Sequence, residues 1–157
     1  MNKKHIDIRI EQCISLSKAS NCSRRKIGAL LLDPDRNVII ADGYNGAPRG
    51  GSILCGGESH CLRDGCKNKD LPPIESGTRM EIGCHHAEMN VICNAAANGT
   101  STSGAWLFVT ASCCLMCAKI IHHAGITKVN VIANNYTTED GMLYLQEHNV
   151  DIEYVRL

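Results

Sequence analysis

Ten cysteines in a chain of 157 residues constrain this protein more than any other feature. The first residues of the chain contain no apolar run of the roughly 7–15 residues that a secretory signal has, so we expect a reducing cytoplasm. In that compartment, cysteines at this density indicate metal binding or catalysis rather than a disulfide framework. The ten are Cys13, Cys22, Cys55, Cys61, Cys66, Cys84, Cys93, Cys113, Cys114 and Cys117.

Charge and aromatic content argue against a nucleic-acid or membrane protein. Lys and Arg number 16, as do Asp and Glu, so the formal net charge is zero and a phosphate-binding surface is not indicated. One Phe, one Trp and four Tyr are too few to stack the successive bases of a single strand. The apolar runs are far shorter than the roughly 20 residues of a membrane span. We therefore expect neither nucleic acid nor membrane as a partner.

Hydrophobic periodicity predicts one mixed sheet with helices on both faces. Two β-rich runs flank a turn at 33–37 that contains Pro and Asp, which indicates a hairpin, and later strands alternate with helices, which indicates parallel pairing. We predict helices at 1–20, 86–97, 115–124 and 137–148, and strands at 27–32, 38–41, 105–110, 128–133 and 151–155. The predicted fold class is α/β, a three-layer α/β/α sandwich around a central five-stranded mixed sheet.

Two segments between these elements stand out by composition. Residues 43–51 are rich in glycine and predict a loop that either approaches a ligand or serves only tight turns. Residues 52–83 show little periodicity, and we interpret them as a Cys-rich insertion that a metal ion would stabilise. The whole chain, residues 1–157, is otherwise expected to form a single domain.

The chemistry resides in the first turns of two predicted helices. His86-Ala87-Glu88 begins one, and Cys114-Leu115-Met116-Cys117 begins the next. One imidazole and two thiolates suit zinc with an open fourth position, the pattern of catalytic sites. His86 and Glu88 would diverge within a helix, so the pattern requires His86 at the helix start. Glu88 is then a candidate for proton transfer; the alternative is a structural zinc site with Glu88 as a solvated helix acid.

At these residues the sequence resembles the zinc-dependent cytidine deaminase superfamily, whose signature is H-x-E with P-C-x-x-C. It resembles most closely the deoxycytidylate (dCMP) deaminases of phage and bacterial type. The similarity runs from about residue 5 to the C-terminus and is carried by residues 21–29, 43–50, 76–79, 86–90 and 117–121. Cys113 departs from it, because the family has Pro there. Cys113 could also compete for zinc, but Cys114 and Cys117 keep the i, i+3 spacing.

The resemblance implies a cytidine deaminase-like fold and zinc-dependent hydrolysis of dCMP to dUMP and ammonia. It implies catalytic zinc on His86, Cys114 and Cys117, with Glu88 delivering protons to N3 and to the leaving amine. It also implies that Asn45 holds the deoxyribose, although a turn Asn chosen for its backbone geometry is a serious alternative. Our phosphate-binding candidates are Ser23, Lys26 and Tyr136; for Lys26 a solvated surface role is equally plausible.

The resemblance further implies a second zinc and regulation. A structural Cys₄ zinc site would use Cys22, Cys55 and Cys84 with Cys61, or with Cys66 in its place; the alternative is that these are reduced thiols. Members of the family are commonly homohexamers, activated by dCTP with Mg²⁺ and inhibited by dTTP. The candidate residues for that allosteric nucleotide are Gly43, Tyr44, Asn45, Gly46 and Arg49.

Two other functions compete with this interpretation. One is another deaminase of the superfamily, acting on free cytidine, dCTP or tRNA adenosine; a tRNA enzyme would need a basic face that the balanced charge does not suggest. The other is a zinc-stabilised module without catalysis. Glu88 discriminates between enzyme and module, because a module has no use for an acid beside an open zinc site.

Overall fold

The structure is a computed structural model that describes residues 1–22, 24–47, 84–132 and 139–156. The predicted insertion at 52–83 therefore lies outside the described residues. The elements in chain order are α1 (Lys3–Ser17), β1 (Gly28–Asp33), β2 (Val38–Tyr44), α2 (Ala87–Ala97), β3 (Trp106–Val109), α3 (Leu115–His123), β4 (Lys128–Val131), α4 (Asp140–Glu147) and β5 (Asp151–Tyr154). Within these ranges, no helix has the length and apolar character needed to cross a membrane.

A five-stranded mixed sheet forms the centre of the fold, with the strand order β2-β1-β3-β4-β5. β1 pairs antiparallel with both β2 and β3, and β4 pairs parallel with both β3 and β5. The predicted hairpin, the parallel strand–helix–strand units and the α/β fold class are confirmed. The parallel strands β3 and β4 place the N-termini of the helices that follow them along one edge of the sheet.

Successive side chains of β1 pack on opposite faces of the sheet. Leu30 and Leu32 pack with Cys13 of α1 and Phe108 of β3 in a small cluster on one face. Leu31 belongs to the larger cluster on the other face, where side chains of α2, α3 and α4 are buried. One helix therefore covers one face and three helices cover the other, which gives the three predicted layers.

Several element ends differ from the prediction. α1 ends at Ser17 rather than near residue 20, because the next residues turn with i to i+3 hydrogen bonds such as Ser20 N–H to Ser17 O (3.1 Å). β2 continues to Tyr44 rather than stopping at Ala41, since its last residues still pair with β1. The predicted loop at 43–51 thus begins as strand. α4 begins at Asp140, and residues 133–138, where we predicted its start, lie outside the described residues.

Candidate metal centre and active site

The two helices that carry the predicted ligands begin with those ligands as their N-cap residues. His86 precedes α2 with an extended backbone (φ −75°, ψ 152°), and Cys114 precedes α3 in nearly the same conformation (φ −72°, ψ 163°). Neither side chain caps its own helix, so each is available to another partner. The prediction that His86 stands at the helix start, where its side chain and that of Glu88 need not share a helical face, is confirmed.

His86, Cys114 and Cys117 bring three ligand atoms together. His86 Nδ1 lies 3.5 Å from Cys114 Sγ and 3.4 Å from Cys117 Sγ, and the three atoms lie within 4.8 Å of one another. Tetrahedral zinc with bonds of about 2.05 Å to nitrogen and 2.3 Å to sulfur would separate these atoms by about 3.5 Å. The three side chains are therefore positioned to hold a metal ion, and their donor set suits zinc. Cys113 is not part of the cluster.

The two thiols of the cluster shift each other's pKa in opposite directions. A hydrogen bond with Cys117, reinforced by one with His86, lowers the pKa of Cys114 to about 4. The same contact with Cys114, together with burial, raises the pKa of Cys117. Zinc binds thiolates, so metal binding at this pair displaces the protons that the sulfurs carry. The N-termini of α2 and α3 adjoin the cluster, and their positive dipole ends favour the charge of the thiolate.

Glu88 is a buried acid beside this cluster, not a solvated one. It lies in the first turn of α2, and only 5% of the residue is exposed. Burial raises the pKa of its carboxyl, an effect that the nearby His86 partly opposes. A carboxyl whose pKa is raised above its ordinary range is better suited to both accept and release a proton during a reaction. The alternative description of Glu88 as a solvated helix acid is therefore wrong.

The end of β2 is fixed to the start of α2. Gly46 exchanges two backbone hydrogen bonds with His85, the residue before His86, at 3.1 and 2.9 Å. The Asn90 side chain donates to Tyr44 O at 2.7 Å. A Cβ on Gly43 would lie 2.7 Å from a backbone nitrogen of α2, so only glycine allows this close approach. The contacts at Gly43 and Gly46 thus fix the position of the start of α2, where the metal-binding residue His86 lies.

Asn45 has a structural task that limits its role toward substrate. Its Oδ1 accepts a hydrogen bond from the Ile27 N–H at 2.8 Å, and its Nδ2 donates to Arg25 O at 2.9 Å. One side-chain N–H and the second lone pair of Oδ1 remain for a sugar hydroxyl. The side chain therefore links β2 to the segment before β1 rather than serving a local turn, and a substrate role would rest on the groups that remain.

Of the other predicted site residues, the structure describes Lys26, Cys22 and Cys84. Lys26 is exposed, and Cys22 and Cys84 are half-buried. The sulfur of Cys22 accepts a hydrogen bond from the Arg25 N–H at 3.4 Å. The remaining candidates lie outside the described residues: Ser23, Arg49, Cys55, Cys61, Cys66 and Tyr136.

Sequence reasoning missed one contact of the site. Cys113, the residue before the ligand Cys114, is fully buried. The Cys113 N–H donates to Met142 Sδ of α4 at 3.4 Å. The departure from the family pattern at Cys113 was the only signal in the sequence, and nothing there indicated Met142.

Comparison with known proteins gives the family. The profile described as the cytidine and deoxycytidylate deaminase zinc-binding region matches residues 4–133. The chain belongs to this family. Deoxycytidylate deaminase of Enterobacteria phage T2 is 33% identical, with coverage of 73% of this chain and 72% of its own. ComE operon protein 2 of Bacillus subtilis (strain 168) is 32% identical, with coverage of 90% of this chain and 66% of its own.

A solved structure of a deaminase extends the likeness to the whole fold. The crystal structure of dCMP deaminase from the cyanophage S-TIM5, in complex with dCMP and dUMP, matches with a TM-score of 0.77. The match covers 100% of this chain and 99% of that one at 30% identity. The deoxycytidylate deaminase resemblance and the cytidine deaminase-like fold predicted from the sequence are confirmed.

Proposed function

We propose that this protein catalyses the zinc-dependent hydrolytic deamination of dCMP to dUMP and ammonia. The observation that carries the proposal is the buried Glu88 carboxyl beside an imidazole and two thiols at zinc-binding distances. Named deoxycytidylate deaminases among the relatives, and a cyanophage relative whose structure holds dCMP and dUMP, support this choice of substrate. The dUMP formed would supply thymidylate synthesis in the cytoplasm.

In this proposal three side chains bind the metal ion and Glu88 transfers protons. A zinc ion held by His86, Cys114 and Cys117 would supply the Lewis acidity that activates water toward C4 of the cytosine. Glu88 takes one proton from the attacking water and delivers it to N3. It then takes the second proton from the hydroxyl formed at C4 and delivers it to the exocyclic amine, which leaves as ammonia while the C4 carbonyl forms. The raised pKa of Glu88 suits it to both directions of transfer. The remaining N–H of Asn45 would bind the deoxyribose, and Ser23, Lys26 and Tyr136 the phosphate.

A substrate panel tests this function. Zinc-loaded protein is offered dCMP, deoxycytidine, CMP and dCTP, and ammonia release is measured together with the loss of cytosine absorbance. We expect turnover of dCMP and little of the other three. Turnover of dCTP or free deoxycytidine instead would assign a different deaminase of the superfamily. The absence of turnover with all four compounds, while zinc is bound, would overturn the proposal.

Regulation and assembly form a further part of the proposal, and they rest on the resemblance to the family. We expect a homohexamer in which dCTP with Mg²⁺ activates and dTTP inhibits, through Gly43, Tyr44, Asn45, Gly46 and Arg49. Gly46 is hydrogen-bonded to the residue before His86. A nucleotide bound to this segment would therefore affect the position of the zinc ligand His86 through a single contact. Saturating dTTP should depress turnover cooperatively, and a flat response would remove the regulatory claim.

A further inference from the structure

We propose that Met142 is a positioning residue for the zinc-binding segment, whose thioether sulfur holds the backbone immediately before the ligand Cys114. The inference rests on the metal centre of the proposed function, and it assigns a role to a residue outside the family signature. Met142 acts through the backbone of Cys113 and is not one of the metal-binding side chains.

A buried hydrogen bond joins two distant parts of the chain beside the metal-binding side chains. The Cys113 N–H donates to Met142 Sδ at 3.4 Å, across 29 residues of sequence. Cys113 is 0% exposed and Met142 is 5% exposed, so bulk water does not reach this bond. A buried backbone N–H needs a partner, and the thioether sulfur, although a weak acceptor, supplies one. The bond therefore fixes the backbone one residue before a zinc ligand.

The first turn of α4 also meets the ligand segment through Gly141. A Cβ on this glycine would lie 2.6 Å from the carbonyl carbon of Cys114 and 2.8 Å from its oxygen, so the missing side chain lets the two backbones approach. Cys114 O accepts a hydrogen bond from the Ala118 N–H at 2.9 Å, at the start of α3. Cys114 thus lies between α3, which begins directly after it, and α4, which holds the residue before it.

The donor of this hydrogen bond exists because the chain departs from the family signature. Proline, the residue of the signature at this position, has no backbone N–H and needs no acceptor, and its ring restricts the backbone directly. Cys113 has an N–H, and Met142 supplies the acceptor for it. The position of Cys114 in this chain therefore depends on a contact with α4 where the signature has a rigid residue.

Loss of this bond should weaken zinc binding. Without the acceptor, the segment before Cys114 must move or bury an unpaired N–H, and metal binding then has to restore the position of the ligand. Groups that orient metal ligands from outside the coordination sphere commonly contribute about 10–100-fold to metal affinity. Because a thioether sulfur is a weak acceptor, we expect an effect at the low end, roughly 10-fold.

The test uses a substitution of nearly equal volume, Met142→Leu, which removes the sulfur and keeps an apolar side chain. Leu145→Met is the matched control, because it makes the reverse exchange at another buried position of the same helix. The zinc dissociation constant is measured by competition with a chelator, well below the melting temperature of each variant. The absorption spectrum of the Co²⁺-loaded proteins reports the geometry of the ligands independently of activity.

A double-mutant cycle separates the hydrogen bond from side-chain packing. Cys113→Pro removes the donor, so Met142→Leu has no hydrogen bond left to break in that background. Both variants are therefore made singly and together, and zinc affinity is compared across the four proteins. If Cys113→Pro does not fold, the comparison of Met142→Leu with Leu145→Met decides the question.

We expect Met142→Leu to raise the zinc dissociation constant roughly 10-fold and to change the Co²⁺ spectrum, and Leu145→Met to leave both as in the parent protein. In the Cys113→Pro background, Met142→Leu should change zinc affinity by less than about twofold. The inference is overturned if Met142→Leu binds zinc as tightly as the parent, if Leu145→Met weakens binding equally, or if the effect of Met142→Leu persists in the Cys113→Pro background. Failure of the proposed function looks different, because the parent protein itself would then not bind zinc or not deaminate dCMP.

Discussion

At the scale of single residues, Glu88 lowers the stability of the protein that uses it. Burial raises the pKa of its carboxyl above the ordinary value of 4.5. A group whose pKa is higher in the folded state favours folding most below its unfolded pKa. That contribution is lost as the pH rises through the folded value, where the buried carboxyl ionises. In the metal-free protein, stability should therefore fall from about pH 4.5 upward on account of this one residue.

Replacing Glu88 by the uncharged Gln should consequently stabilise the metal-free protein. We expect Glu88→Gln to raise the melting temperature at pH 7–8 by about 2–4 °C for each kcal/mol gained, and the gain to shrink as the pH falls toward 4. Thermal unfolding with a chelator, measured over this pH range, checks it. Glu147→Gln, at an exposed position of α4, is the control and should change little. A gain that does not depend on pH would contradict the account.

Asn45 illustrates what single residues in a sequence leave open. Its neighbours, two glycines and a tyrosine, fit either a turn or a sugar contact, and the sequence could not decide between them. In the structure this side chain donates one hydrogen bond to Arg25 O and accepts one from the Ile27 N–H. These partners lie 18 and 20 residues away in the chain, and no local pattern indicates such a contact. The pattern of His86, Cys114 and Cys117, by contrast, was visible because His86 and Cys114 each mark a helix start and Cys117 follows Cys114 at i+3.

At the scale of elements, hydrophobic periodicity predicted every helix and strand that the structure describes. The predicted ends of the helices and strands were less accurate, because where an element ends depends on its contacts with other elements. β2 extends to Tyr44 since Gly43 and Tyr44 find partners on β1. The approach of α4 to the metal-binding segment could not be predicted at all. It joins Cys113 to Met142 across 29 residues and requires a residue without a side chain at 141.

This approach predicts an effect of Gly141 on zinc binding. A Cβ at this position would lie 2.8 Å from Cys114 O, so the start of α4 or the ligand segment must move. We expect Gly141→Ala to destabilise the protein by about 1–3 kcal/mol and to weaken zinc binding. Unfolding and zinc competition with a chelator measure both. Gly46→Ala is the comparison for stability, since its Cβ would meet nothing closer than 4.0 Å. Equal stabilities of the two variants would contradict the argument.

At the scale of the whole molecule, the predicted second zinc site would join the insertion to the rest of the fold. Cys22 lies between α1 and β1, and Cys84 stands two residues before His86. A second zinc ion on these two with Cys55 and Cys61, or Cys66, would tie residues 52–83 to the frame of the active site. It would also support the start of α2. The sequence indicated these cysteines only through the resemblance, since their spacing follows no single element.

Metal content tests this arrangement directly. We expect two zinc ions per chain in the purified protein, and one in Cys22→Ser or Cys84→Ser, with a lower melting temperature in both variants. Elemental analysis against protein concentration provides the count. Cys93→Ser, at an exposed site on α2, should keep both ions. A single zinc ion per chain in the parent protein would remove the second site.

The central claim is that Glu88 performs proton transfer beside a zinc ion held by His86, Cys114 and Cys117. The most direct test is the rate of dCMP deamination by Glu88→Gln, with zinc content and dUMP affinity measured on the same sample. We expect zinc content and product affinity to match the parent protein, while turnover falls by at least about 10²–10⁴-fold. Turnover within tenfold of the parent, with zinc bound, would contradict the account.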